Sequence, residues 1–127
     1  MRYDIIFLAT ALLCLLVGEG LGIYMGISQD FLLVPAHVHL NLLGWITLAA
    51  FGLMHRAYPA LASSRLAAPQ SVLAIISNIA MPAGLAMMLL SANHDATLVK
   101  YASLGVILAT LLFIIMFARK AALAKAA

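Results

Sequence analysis

Two histidines two residues apart, His37 and His39, lie in a stretch of this 127-residue chain that has no Lys, Arg, Asp or Glu between Phe31 and Met54. Neutral imidazole is a ligand for iron and other metals at physiological pH, and an ionisable group inside so long an apolar run is expensive to keep without a task. Successive residues on an α-helix turn by about 100°, so side chains two apart diverge by about 200°. One helix face therefore cannot hold a single ion with both imidazoles. The pair addresses two sites on opposite sides of its helix, one lined by His37, Asn41, Gly44 and Leu48, the other by His39, Leu43, Ile46 and Ala50. A helix wedged between two flat cofactors has that arrangement. Asn41, four residues after His37, offers a hydrogen bond near the same site or an interhelical packing bond. Glu19, between Gly18 and Gly20, is a further ionisable group within an apolar run. It either reaches the membrane interface to solvate itself or acts as a proton relay or partner to a group at the site.

The elements that must position these residues follow from composition. Of the chain, 66% is hydrophobic and 9% charged, and its mean hydropathy is +1.14, which excludes an ordinary soluble domain. Spanning a bilayer takes about 20 apolar residues per helix. Breaking the chain at its charges leaves Ile5–Gly18, Phe31–Met54, Leu66–Asn93 and Tyr101–Ala118, read as four spans, and their continuity excludes the alternating pattern of a transmembrane barrel. The expectation is an all-α fold: one integral membrane domain over 1–127, a four-helix transmembrane bundle with helices at about 5–24, 33–58, 69–91 and 98–117. The first run ends in Gly-Glu-Gly without a small-residue cleavage site, so it is expected to be retained as a span. Cys14, the one cysteine, reads as a small buried apolar residue.

Arg2, Arg56, Arg65, Arg119, Lys120 and Lys125 fall on one side of such a bundle, and only Lys100 on the other, with Asp30 and Asp95. The positive-inside rule then makes both termini cytoplasmic. That asymmetry accounts for the net charge of +3 without nucleic acid as a partner, and leaves the lipid bilayer as the surroundings. Tyr3, Tyr24, Tyr58 and Tyr101 sit near span ends, where aromatic belts form. Gly18, Gly22 and Gly26 form a stripe for close helix packing. Pro35 suits a first helical turn, whereas Pro82 removes the amide that would bond the Asn78 carbonyl; a kink is expected there, with the Asn78 side chain satisfying freed backbone. The fourth run, almost pure Leu, Ile, Ala and Phe, reads as lipid-facing. His55 and His94 are assigned to belt or loop positions.

His37-Val38-His39, Leu43-Gly44-Trp45, Phe51-Gly52 and Pro59 resemble helix ten of subunit I of the haem-copper oxidases, closest to the C-type branch and the related nitric oxide reductases. The resemblance covers about 23 residues and is faint elsewhere. It implies that His37 corresponds to the proximal ligand of a high-spin haem and His39 to a ligand of a low-spin haem, with Asn41, Gly44 and Trp45 in the cofactor environment. The family subunit has about twelve helices in three four-helix arcs, and this chain corresponds to one arc, so the missing ligands would come from further copies. The resemblance thus implies a haem b-binding homo-oligomer, a trimer ahead of a dimer, in a bacterial-type inner membrane. Its activity would be electron transfer, or binding or reduction of O2 or NO as a possible oxidoreductase. His55 lies 16 residues beyond His39, about 24 Å along a helix, so no copper is expected and catalytic residues stay unassigned. Cys-x-x-Cys-His is missing, which favours non-covalent haem. The alternative is a cofactor-free membrane scaffold or assembly partner.

Overall fold

The computed structural model describes the backbone of residues 1–125 and the side chains of residues 1–120. Helix α1 spans Tyr3–Ser28, α2 spans Val34–Ala57, α3 spans Ala67–Leu90, and α4 spans Thr97–Lys125. All four are long and apolar enough to cross a membrane, and the described residues contain no strand. The chain is thus an all-helical bundle, with many large apolar side chains such as Leu13, Leu16, Ile23, Leu104 and Ile107 on its outside. That exterior suits lipid.

Two helices run further than their apolar content predicts. Helix α1 continues to Ser28 and stops where Gln29 takes a left-handed conformation, φ 55°, with its side-chain nitrogen donating to the Gly26 carbonyl at 2.7 Å. Helix α4 continues through the Ala-rich segment beyond Phe117, whose residues favour helix whether or not they are in lipid. Helix α2 starts as expected, with Pro35 in its first turn.

Helix α2 is not uniform. It is α-helical over Val34–His39, π-helical over Leu40–Thr47 and α-helical again over Leu48–Ala57. The Thr47 hydroxyl donates to the Leu42 carbonyl, five residues back, at 2.8 Å. A widened turn of this kind is rare and often accompanies functional sites. Nothing in the hydrophobic periodicity signals it. Helix α3, by contrast, runs unbroken through Pro82. There the Asn78 side-chain nitrogen donates to the Ala74 carbonyl at 2.8 Å, one turn back, and does not serve the Asn78 carbonyl left free by the proline.

Sequence neighbours are spatial neighbours: α1 packs on α2, α2 on α3, and α3 on α4. The Arg56–Asp4 ion pair at 3.1 Å and the Lys120–Ser63 hydrogen bond at 2.9 Å place the start of α1, the end of α2 and the far part of α4 at one end of the bundle, here the terminal end. The Gln29–Leu33 and Ser91–Ala96 connections lie at the other, the loop end. The core is concentrated towards the terminal end, where Phe7, Leu48, Phe51, Ala74, Ala109, Phe113 and Met116 are buried together. Phe51 and Phe113 stack with centroids 4.4 Å apart, and Phe7 meets Phe51 edge-on at 5.7 Å.

Candidate cofactor-binding face

Towards the loop end, α1 and α2 meet through glycine. A Cβ added at Gly18 would stand 2.7 Å from Asn41 Oδ1, one at Gly22 3.1 Å from His37 Cε1, and one at Gly44 2.9 Å from Cys14 Sγ. Each glycine thus makes room for a larger side chain on the facing helix, and two of the expected stripe do so. Gly26 has open space beside it, because α1 there has run past the start of α2. The expected packing stripe is therefore two glycines long within the chain.

The seam also fixes His37 and Asn41. The Asn41 side-chain nitrogen donates to the His37 carbonyl at 2.9 Å and lies 3.5 Å from His37 Nδ1. Gly44 is buried beneath Cys14, and Leu48 is fully buried. The face of α2 that carries His37 is therefore covered by α1 of the same chain. Trp45 is half-buried against the aromatic core. Cys14 is buried and borders an apolar groove of about 310 Å³ that also touches Leu40 and Pro82.

His39 is placed differently. Its Nδ1 lies 2.7 Å from the Pro35 carbonyl oxygen. A carbonyl can only accept, so Nδ1 carries a proton, and in the neutral imidazole the lone pair is on Nε2. This tautomer, held by a backbone carbonyl, is the one a histidine needs to ligate a metal through Nε2. His39 is partly exposed, and Leu42, Ile46 and Ala50 on the same side are open to the outside of the bundle. The opposed placement read from helix geometry is present, but only the His39 side faces outward.

Glu19 is exposed on α1, and neither ion pair among the described residues includes it. The contacts Gly22–His37, Gly18–Asn41, Cys14–Gly44 and Leu8–Gly52 step in opposite directions along the two helices. They put Glu19 and Gly20 level with His39. Tyr24, an exposed belt residue, is five residues beyond Glu19, about 7.5 Å nearer the loop end. A helical side chain leans towards its own N-terminus, so the Glu19 carboxyl leans away from that nearer surface.

The other two histidines separate. His94 is in the loop-end connection, as expected, with a left-handed backbone, φ 47°, and Nδ1 donating to the Met88 carbonyl at 3.1 Å. His55, expected at a solvated belt position, is instead 4% exposed, its ring among Tyr3, Phe7 and Phe113 at centroid distances of 5.4, 5.7 and 5.8 Å. The aromatic side chains of α1 and α4 close over it. Among the described residues, no three His, Cys, Asp or Glu side chains converge. Sequence reasoning missed Pro35 as the group that orients His39, although a carbonyl four residues earlier on a helix is always within reach of such a side chain.

Comparison of the chain with protein-family models, with curated proteins and with solved structures finds no match.

Proposed function

We propose that the chain is a haem b-binding integral membrane protein that works as a homo-oligomer, with His39 as the residue that would hold the haem iron. The observation that carries this reading is the His39 ring hydrogen bond: Nδ1 is committed to the Pro35 carbonyl at 2.7 Å, which leaves Nε2 as the ring nitrogen for a ligand on a partly exposed residue of an apolar face of α2. Leu42, Ile46 and Ala50 supply the flat apolar surface that a porphyrin plane requires. His37 is secondary, since its side of α2 is occupied by α1.

A second copy is favoured over lipid as the cover of this face because of Glu19. A carboxyl exposed within the apolar span is costly to leave against hydrocarbon, and the backbone position of Glu19 is level with that of His39. A rotation axis normal to the membrane keeps that level in every copy, so neighbouring copies bring Glu19 and His39 to one depth. Three copies would rebuild the three-arc plan implied by the resemblance. Both termini are assigned to the cytoplasm of a bacterial-type inner membrane on the distribution of Arg and Lys. Bound haem supplies one-electron redox chemistry or a site for a diatomic ligand. The chain itself orients the imidazole and excludes water around it, with Glu19 available to hold or pass a proton. Electron transfer, or binding or reduction of O2 or NO, is the activity this supports.

The test is the absorption spectrum of detergent-purified protein, oxidised and dithionite-reduced, with pyridine haemochrome quantification. A Soret band that shifts on reduction is expected. His39→Ala should lose the band or turn it high-spin, while His37→Ala should keep it. Wild-type protein that stays colourless after haem is added back would leave a cofactor-free scaffold as the reading.

A further inference from the structure

A cavity of about 350 Å³ opens at the terminal end, lined by Arg2, Tyr3, Asp4, His55, Arg56 and Pro59 among others. Asp4 accepts from Arg2 Nε and Nη2 and from Arg56 Nη1, each at 3.1 Å. The two arginines and one carboxylate leave a single positive charge. Each guanidinium has five N–H donors, so both keep free donors, and both side chains are about two-thirds exposed, at 63% and 68%. The first turn of α1 has no side-chain cap, and its leading amides and the positive end of its dipole face the same region.

His55 provides an independent observation. It borders this cavity, is 4% exposed, and neither ring nitrogen has a hydrogen-bond partner. An imidazole carries at least one N–H in either charge state, so a buried ring without an acceptor is a group left unmade at a cost. An acceptor that satisfied it would sit beside two arginines. Their combined donors exceed what the two oxygens of a carboxylate can take, whereas a phosphoryl group offers more oxygens and pairs with arginine in a bidentate manner.

We infer that this cavity is a binding site for a phosphoryl group, in which Arg2 and Arg56 hold the oxygens and His55 donates its ring N–H. Its excess of positive charge complements an anionic phosphodiester. The site lies beside Tyr3 at the end of α1, the level at which lipid headgroups meet a span. An anionic lipid headgroup and free phosphate share this chemistry, and the test separates them.

Whole chain carrying ¹⁵N-histidine in maltoside micelles is titrated with phosphatidylglycerol, with inorganic phosphate, and with diacylglycerol as a phosphate-free lipid, while the His55 ring nitrogens are followed by NMR. A saturable His55 shift with phosphatidylglycerol alone assigns the site to a headgroup. A shift with inorganic phosphate as well assigns it to the free anion. Arg56→Gln should weaken binding about tenfold, the loss of a charged hydrogen bond. His55→Phe preserves the aromatic packing and so the fold, and should weaken binding severalfold when bound phosphatidylglycerol is counted by native mass spectrometry. No His55 shift with either phosphate compound, an equal shift with diacylglycerol, or unchanged affinity in both variants would overturn the assignment.

Discussion

At the terminal end, Phe7, Phe51, His55 and Phe113 fill the space between three helices with rings 4.4–5.8 Å apart, and the Arg56–Asp4 ion pair joins α1 to α2 across the surface. At the loop end, contact between α1 and α2 rests on glycines that admit a histidine and an asparagine, α2 widens into a π-helix, and Glu19 and His39 stand on the outside. The terminal half packs its aromatic rings against one another within the chain; the loop half leaves Glu19 and His39 without an ion pair inside it. A packed ring cluster anchors the helices at one end, and the looser glycine seam leaves polar groups of α1 and α2 outside at the other, so the two ends hold the helices together by different means.

The largest effect that would break this contrast lies in the ring cluster. Phe113→Ala is expected to lower unfolding free energy by about 3 kcal/mol, the scale of a phenylalanine removed from a packed core, as read by denaturant titration in detergent. A loss under 1 kcal/mol would mean that the terminal half is not the anchor. Next comes the glycine seam, where Gly18→Ala places a methyl 2.7 Å from Asn41 Oδ1 and should cost roughly 1–3 kcal/mol through overpacking. Gly20→Ala and Gly26→Ala, with nothing near their added methyls, should leave the monomer unchanged or stabilise it by up to about 1 kcal/mol. If Gly20→Ala also disrupts self-association in analytical ultracentrifugation, the open side of α1 is where copies meet.

The smallest effect concerns the start of α4. The Asp95 carboxylate accepts from the Thr97 hydroxyl at 2.6 Å and the Thr97 amide at 2.9 Å, and these bonds hold its pKa below the usual carboxylate value. A lowered folded pKa contributes stability that is present above the unfolded value, about 4, and is lost as pH falls through the folded one. Hydrogen-exchange protection of the first α4 amides, taken relative to the intrinsic rate at each pH, should therefore fall on acidification below about pH 4, and Asp95→Asn should remove most of that dependence. The Ala74 amide, buried in the middle of α3 and away from either paired carboxylate, should not respond.

Much of this was legible before any coordinates. Charge-free runs of the right length predict four spanning helices, and 3.6-residue geometry alone separates His37 from His39. Other features were not legible, each for a physical reason. Gly18, Gly22 and Gly26 share a periodicity, yet only the first two have α2 beside them. His55 stands next to Arg56 in the chain, and its neighbour's charge gives no sign that Phe7 and Phe113 close over the ring. Asn78 precedes a proline by one turn, and which carbonyl its amide reaches is decided by its rotamer.

Composition and periodicity determined that the chain forms apolar helices, where each begins within a few residues, and which residues share a helix face, because these depend on local geometry and transfer energy alone. Tertiary structure decided which of those faces is covered. It closed the His37 side with α1, left the His39 side open with its imidazole tautomer set by Pro35, and enclosed His55 without a partner. Coverage depends on the register and crossing of helices far apart in sequence, which packing sets only when the whole bundle assembles.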